Sequence, residues 1–167
     1  MASELTVQTL RGPTSGANAD TVLIPSGQTL HAPGHAIQVK CVEWDTPYTD
    51  SSSAQKDLFS GQITVQEGSK VVAMASVGRY VNASGVWGKA YEMKLYVGSV
   101  LIQDTEHVGA NATGAESFQH NLMGQTGVLT AGTYTIKVTG NQVASTNNHE
   151  FNRSPRSSWL IMQEIAQ

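Results

Sequence analysis

The chain has 167 residues, 40% hydrophobic and 14% charged, with ten Lys and Arg against thirteen Asp and Glu for a net charge of −3. That length suits one well-buried domain, the apolar content is enough for a core, and a weakly acidic chain has no general electrostatic grip on nucleic acid. Ser, Thr, Asn, Gln and sixteen Gly replace the missing charge, a composition suited to β-strands and turns kept wet by hydroxyls and amides.

The opening Met1-Ala-Ser-Glu-Leu-Thr-Val-Gln lacks the basic head and apolar centre of a signal peptide. The longest apolar runs, such as Val71 to Val77 and Trp159 to Met162, are far shorter than the roughly 20 residues that span a bilayer. The single Cys41 can form neither an internal disulfide nor a thiolate metal cluster. These features predict a soluble protein made in a reducing cytosol, with no membrane partner.

Residues 1–35 carry Pro13, Pro25 and Pro33 among Gly12, Gly16, Gly27 and Gly34, and no helical period survives that punctuation. Two short apolar pieces remain, Leu5-Thr-Val-Gln-Thr-Leu10 and Thr21-Val-Leu-Ile24. Neither buries enough surface to offset its own ordering entropy. The segment therefore reads as an extended N-terminal arm that holds its shape against another chain, with Leu5, Val7, Leu10, Val22 and Ile24 as its assembly contacts.

From residue 36 to 167 strand follows strand. Ile37, Val39 and Cys41 alternate with Gln38 and Lys40; Leu58 to Val65 is a weaker strand, interrupted by Gly61; Lys70 to Val77 is small and apolar throughout, as in a strand covered on both faces. Tyr91, Met93, Leu95 and Val97 give the clearest period of two, and Gly98-Ser99 then predicts a two-residue turn into Val100-Leu-Ile102. Phe118, His120 and Leu122 share one face; Tyr134, Ile136 and Val138 share another; Trp159 to Ile165 closes the chain. About eight short strands without a convincing helix predict an all-β fold, an antiparallel β-sandwich or jelly roll preceded by the arm.

Candidate chemistry is sparse. His31 and His35 are separated by Pro33-Gly34 and read as polar loop residues rather than metal ligands. His120 reads as a core or interface histidine. Asp45, Asp50 and Asp57 fall around a Ser-rich loop, but their spacing is not that of a calcium loop. No nucleophile elbow, phosphate cradle or dinucleotide fingerprint occurs, so the expectation is a protein without enzymatic activity, metal or cofactor. Asn147-Asn-His-Glu-Phe-Asn-Arg-Ser-Pro-Arg156 carries two of the four arginines and reads as a solvated connection between the last strands. Arg153 and Arg156 there could meet a partner carboxylate or a sugar through planar paired donors. Of Trp44, Trp87 and Trp159, core or subunit-interface anchoring is the first expectation; Trp87, in Asn82-Ala-Ser-Gly-Val-Trp-Gly88, is the candidate for an exposed partner or glycan contact.

The segments Leu5-Thr-Val-Gln-Thr-Leu-Arg, Ile24-Pro-Ser-Gly-Gln-Thr-Leu30 and Ala32-Pro-Gly-His-Ala-Ile-Gln-Val39, with Leu129-Thr-Ala-Gly-Thr-Tyr-Thr-Ile-Lys-Val138 and the closing Trp159-Leu-Ile-Met-Gln-Glu-Ile165, resemble small virion structural proteins of tailed bacteriophages. The matching pieces lie at both ends and cover about a third of the chain. The resemblance implies a jelly-roll-like module, commonly a homotrimer, located in the virion after synthesis in the host cytoplasm. It implies a capsid decoration (cement) protein whose arm binds the phage major capsid protein or another virion protein. The alternative is a tail-fibre or receptor-binding module that contacts host-surface glycan.

Overall fold

The computed structural model describes residues 32–51, 53–83, 91–107, 114–142, 149–152 and 157–167. The described residues form ten strands and no helix: β1 (Ala36–Trp44), β2 (Tyr48–Asp50), β3 (Lys56–Val65), β4 (Lys70–Ala83), β5 (Tyr91–Val97), β6 (Val100–His107), β7 (Gly114–Gln125), β8 (Gly132–Gln142), β9 (His149–Phe151) and β10 (Ser158–Ile165).

The pairings are nested. β5 pairs with β6, β4 with β7, β3 with β8, β2 with β9 and β1 with β10, all antiparallel. The described strands thus form one long hairpin whose tip is the turn at Gly98-Ser99. Gly98 sits at φ 59°, the left-handed conformation demanded at the first position of a type II′ turn. Rolling that hairpin up adds the pairs β4–β10, β4–β9 and β5–β8. The outcome is the jelly roll expected from the strand pattern.

β1 and β2 follow one another along β10 and β9, so each pair acts as one interrupted strand. The first sheet then has four lanes, β7, β4, β9/β10 and β1/β2; the second runs β3-β8-β5-β6. One residue pins both interruptions. Asn152 (φ 57°) donates from Nδ2 to the Thr46 carbonyl at 3.1 Å, and its Oδ1 accepts from Ser158 Oγ at 2.5 Å. Asparagine tolerates this left-handed backbone better than most residues.

The core lies between the sheets and follows the period of two. In β5, Tyr91, Met93, Leu95 and Val97 are buried while Glu92, Lys94 and Tyr96 are half-exposed. Val71, Ala73, Ala75 and Val77 of β4 join Leu160 and Met162 of β10 and Ile136 and Val138 of β8 in the same cluster. Gly61 does not interrupt β3, contrary to the expectation from sequence. A Cβ there would lie 2.9 Å from Met162 Cε and 3.2 Å from Val42 Cγ2, so the missing side chain makes room for the facing sheet.

Other expectations change as well. Asp50 and Asp57 are not loop residues: they lie in β2 and β3. His149–Phe151 is a strand inside what read as a solvated connection. In β1 the polar residues turn toward the second sheet, where Gln38 Nε2 donates to Glu164 Oε2 (2.6 Å) and Lys40 Nζ to the Gln62 carbonyl (3.3 Å). Val39 and Cys41 consequently face outward and are exposed.

Candidate functional site

Residues directly opposite one another in a sheet share a face, so the pairing register maps both outer surfaces. On the first sheet a central row runs Met123–Met74–Ile161–Cys41 across β7, β4, β10 and β1. One flanking row is Gln125–Val72–Gln163–Val39; the other is Asn121–Ser76–Trp159–Glu43. Glu43, at one corner, is the single charge in these rows. Met123 is 64% exposed and Val39 57%. Four strands about 4.8 Å apart and three rows about 7 Å apart make roughly 400 Å² of projected surface. Seven of the twelve side chains in these rows are apolar, and the continuous apolar stripe runs along the central row.

The second sheet is the opposite. Its outer rows read Asp57–Thr139–Lys94–Asp104 and Ser60–Lys137–Tyr96–Leu101, then Gln62–Thr135 and Thr64–Thr133. Lys94 Nζ lies 2.9 Å from Glu92 and 3.9 Å from Asp104. A groove of about 470 Å³ opens on this face, walled by Gln55, Asp57, Tyr96, Lys137, Thr139 and the Gly98-Ser99 turn. Inside it Lys137 Nζ is 3.0 Å from Asp57 Oδ1 and 5.8 Å from the Tyr96 ring centre. Gln55 Nε2 donates to Thr139 Oγ1 at 2.5 Å and reaches the Tyr96 hydroxyl at 3.4 Å.

Polar groups close both ends of the sandwich. At one end the fully buried Glu164 accepts from Gln38 Nε2 and from the Gln66 amide, each at 2.6 Å. At the other, buried Asp50 accepts from the Tyr91 hydroxyl at 2.9 Å and from Lys56 Nζ at 3.0 Å. Burial, reinforced by the Asp50 charge, pushes the Tyr91 hydroxyl far above the usual phenol range. The Asp50 hydrogen bond raises Lys56 above the ordinary lysine value. The Arg79 guanidinium lies 4.8 Å from the Phe118 ring centre and 5.7 Å from that of Tyr91, a cation between aromatic faces. His149 packs 4.8 Å from the Tyr91 ring, and burial, with the Arg79 charge adding to it, lowers its pKa to about 4. This end is where β4, β6 and β8 finish and β5, β7 and β9 begin. The knot therefore fixes the strand ends that carry the intervening connections.

The sequence-predicted contacts Leu5, Val7, Leu10, Val22 and Ile24 of the arm lie outside the described residues, as do Trp87, Arg153 and Arg156. His120 is buried on the Phe118–Leu122 side of β7, its ring 6.0 Å from that of Phe118. Trp44 packs against Phe59 at the core's edge, ring centres 4.5 Å apart and tilted by 31°, whereas Trp159 is on the outer face of the first sheet. Among the described residues no group of three His, Cys, Asp or Glu side chains is placed to hold a metal ion. Sequence reading missed both outer faces. The signal was present in the spacing of Val72, Met74, Trp159 and Ile161, but only the register shows that these residues adjoin.

No known protein family matches the chain, and no curated protein does. Among solved structures, the chain is similar to dimeric latent PorU from Porphyromonas gingivalis, at 9% identity and TM-score 0.45 over 89% of this chain and 15% of that one. It is also similar to the C-terminal domain of EclA, a sugar-binding protein (15% identity, TM-score 0.41, 97% and 99% covered). The infectious bursal disease virus VP2 subviral particle gives 12% identity and TM-score 0.40, with 93% and 46% covered. Likenesses at this level carry no functional argument. The chain spans about a seventh of the PorU chain and under half of VP2.

Proposed function

We propose that the chain is a non-enzymatic virion structural protein of a tailed bacteriophage, a homotrimer joined through the outer face of its first sheet and serving as a capsid decoration (cement) protein. The apolar central row on that face, with Val72 and Val39 beside it, carries the reading. β4 has the composition of a strand covered on both sides, yet within one chain Val72 and Met74 remain only half-covered. A second copy supplies the missing cover, and a closed ring of copies covers this row in every protomer. The arm, with Leu5, Val7, Leu10, Val22 and Ile24, anchors the trimer to the major capsid protein or another virion protein, in keeping with the phage resemblance of its sequence.

The groove on the polar sheet favours a second reading, a tail-fibre or receptor-binding module, because it lies opposite the proposed interface and stays open in the assembled trimer. Quantitative mass spectrometry of purified particles and fractionated tails separates the two. Hundreds of copies on the head are expected for cement, and a few copies restricted to the tail indicate the fibre. Absence from the particle would overturn both.

A further inference from the structure

We propose that the groove between residues 53–57 and the β5–β6 turn is a binding site for a neutral pyranose of a host-surface glycan. The inference deepens the receptor-binding reading and rests on it for the source of the sugar; the site itself rests on the groove.

Its volume of about 470 Å³ falls in the range of small-molecule sites, roughly 300–1,000 Å³. It combines the two things a sugar needs: an aromatic wall for its C–H faces and convergent polar groups for its hydroxyls. Tyr96 is the wall. The polar groups are held in place before any ligand arrives. Tyr96 and Lys137 are cross-strand neighbours, Asp57 and Thr139 likewise, and Gln55 is fixed by its bonds to Thr139 and Tyr96.

Valences remain for a ligand. An ammonium has three donors and a carboxylate about four acceptor sites, and among the described residues Lys137 donates only to Asp57. The Asp57 side chain is 62% exposed and that of Lys137 33%. Paired groups of this kind let a carboxylate accept from one sugar hydroxyl while the ammonium donates to its neighbour. The charge pattern sets the ligand class. Asp57 and Lys137 cancel at 3.0 Å, and the adjoining Glu92, Lys94 and Asp104 sum to −1 + 1 − 1 = −1. With no net positive charge the site gives phosphate, uronate or sialate no electrostatic advantage, which favours a neutral sugar.

The test is saturation-transfer NMR on the full-length protein with glucan, mannan and galactan oligosaccharides, and with oligosialic acid as the anionic probe. At least one neutral oligosaccharide is expected to bind, with Asp57→Asn and Tyr96→Ala each weakening it about tenfold or more. Failure of all the neutral probes, stronger binding of oligosialic acid, or full affinity in D57N overturns the proposal. Its fate is separable from that of the receptor-binding reading. Sugar binding by a protein found only on the head sinks that reading and keeps the site, and a tail protein that binds no sugar does the reverse.

Discussion

Acidifying from about pH 7 to about pH 4.5 places a proton on His149 in the unfolded chain but largely not in the folded one. The imidazole is fully buried against Tyr91, with Arg79 close enough to oppose a second positive charge. Its folded pKa of about 4 lies below the unfolded 6.5. The unfolded state therefore binds more protons throughout the interval, and stability falls as pH falls. Over that interval the linkage relation gives a loss of about 2–3 kcal/mol from this one residue. The readout is urea unfolding followed by tryptophan fluorescence at fixed protomer concentration, for the native chain and for His149→Phe, which keeps the aromatic volume and cannot titrate. Both proteins keep the remaining acidic groups, so the difference between the two curves reports His149 together with its coupling to Asp50. That difference should shift by about 2–3 kcal/mol in favour of the variant between the two pH values. Parallel curves would refute the burial argument.

Two further outcomes follow from the packing and the chain path. A Cβ at Gly140 collides with the buried Tyr91 ring, its hydroxyl oxygen 3.0 Å away, whereas one at Gly61 meets the flexible end of Met162. Gly140→Ala should therefore cost about 2–3 kcal/mol and Gly61→Ala under about 1, an order that thermal unfolding checks and the reverse order would contradict. Residues 34 and 35 are tied to the closing strand by Gly34 N to the Ala166 carbonyl (2.7 Å) and Ala166 N to the His35 carbonyl (2.9 Å). Deleting residues 1–30 should accordingly leave the sandwich folded by circular dichroism while abolishing its association with particles. Undiminished particle occupancy would remove the arm from the mechanism.

Much of the fold was legible because period and turn chemistry agreed. In β5 the alternation of Tyr91, Met93, Leu95 and Val97 ran into a glycine that only a primed turn requires, and the hairpin follows directly. The short strands β2 and β9 carried no such signal. At three residues each they are too brief for a period, and Asn152, bridging Thr46 and Ser158, sets where they break away from their neighbours. Charged residues read as surface by default, which hid Asp50, Arg79 and Glu164; their burial depends on partners distant in the chain. The direction of β1 was inverted for the same reason, since Gln38 and Lys40 find acceptors on β10 and β3 that alternation alone does not reveal. Neither outer face was legible as a surface. Tyr96 and Lys137 are 41 positions apart, and only strand register makes them neighbours.

The mass of the full-length protein in solution bears most directly on the proposed assembly. Sedimentation equilibrium should give three times the 17.8 kDa chain, about 53 kDa. Ile161→Lys, at the middle of the central row, should return the single-chain mass with an unchanged far-ultraviolet spectrum. A native protein that sediments as one chain, or a trimer that survives both Ile161→Lys and Met74→Lys, would contradict the assignment of this face.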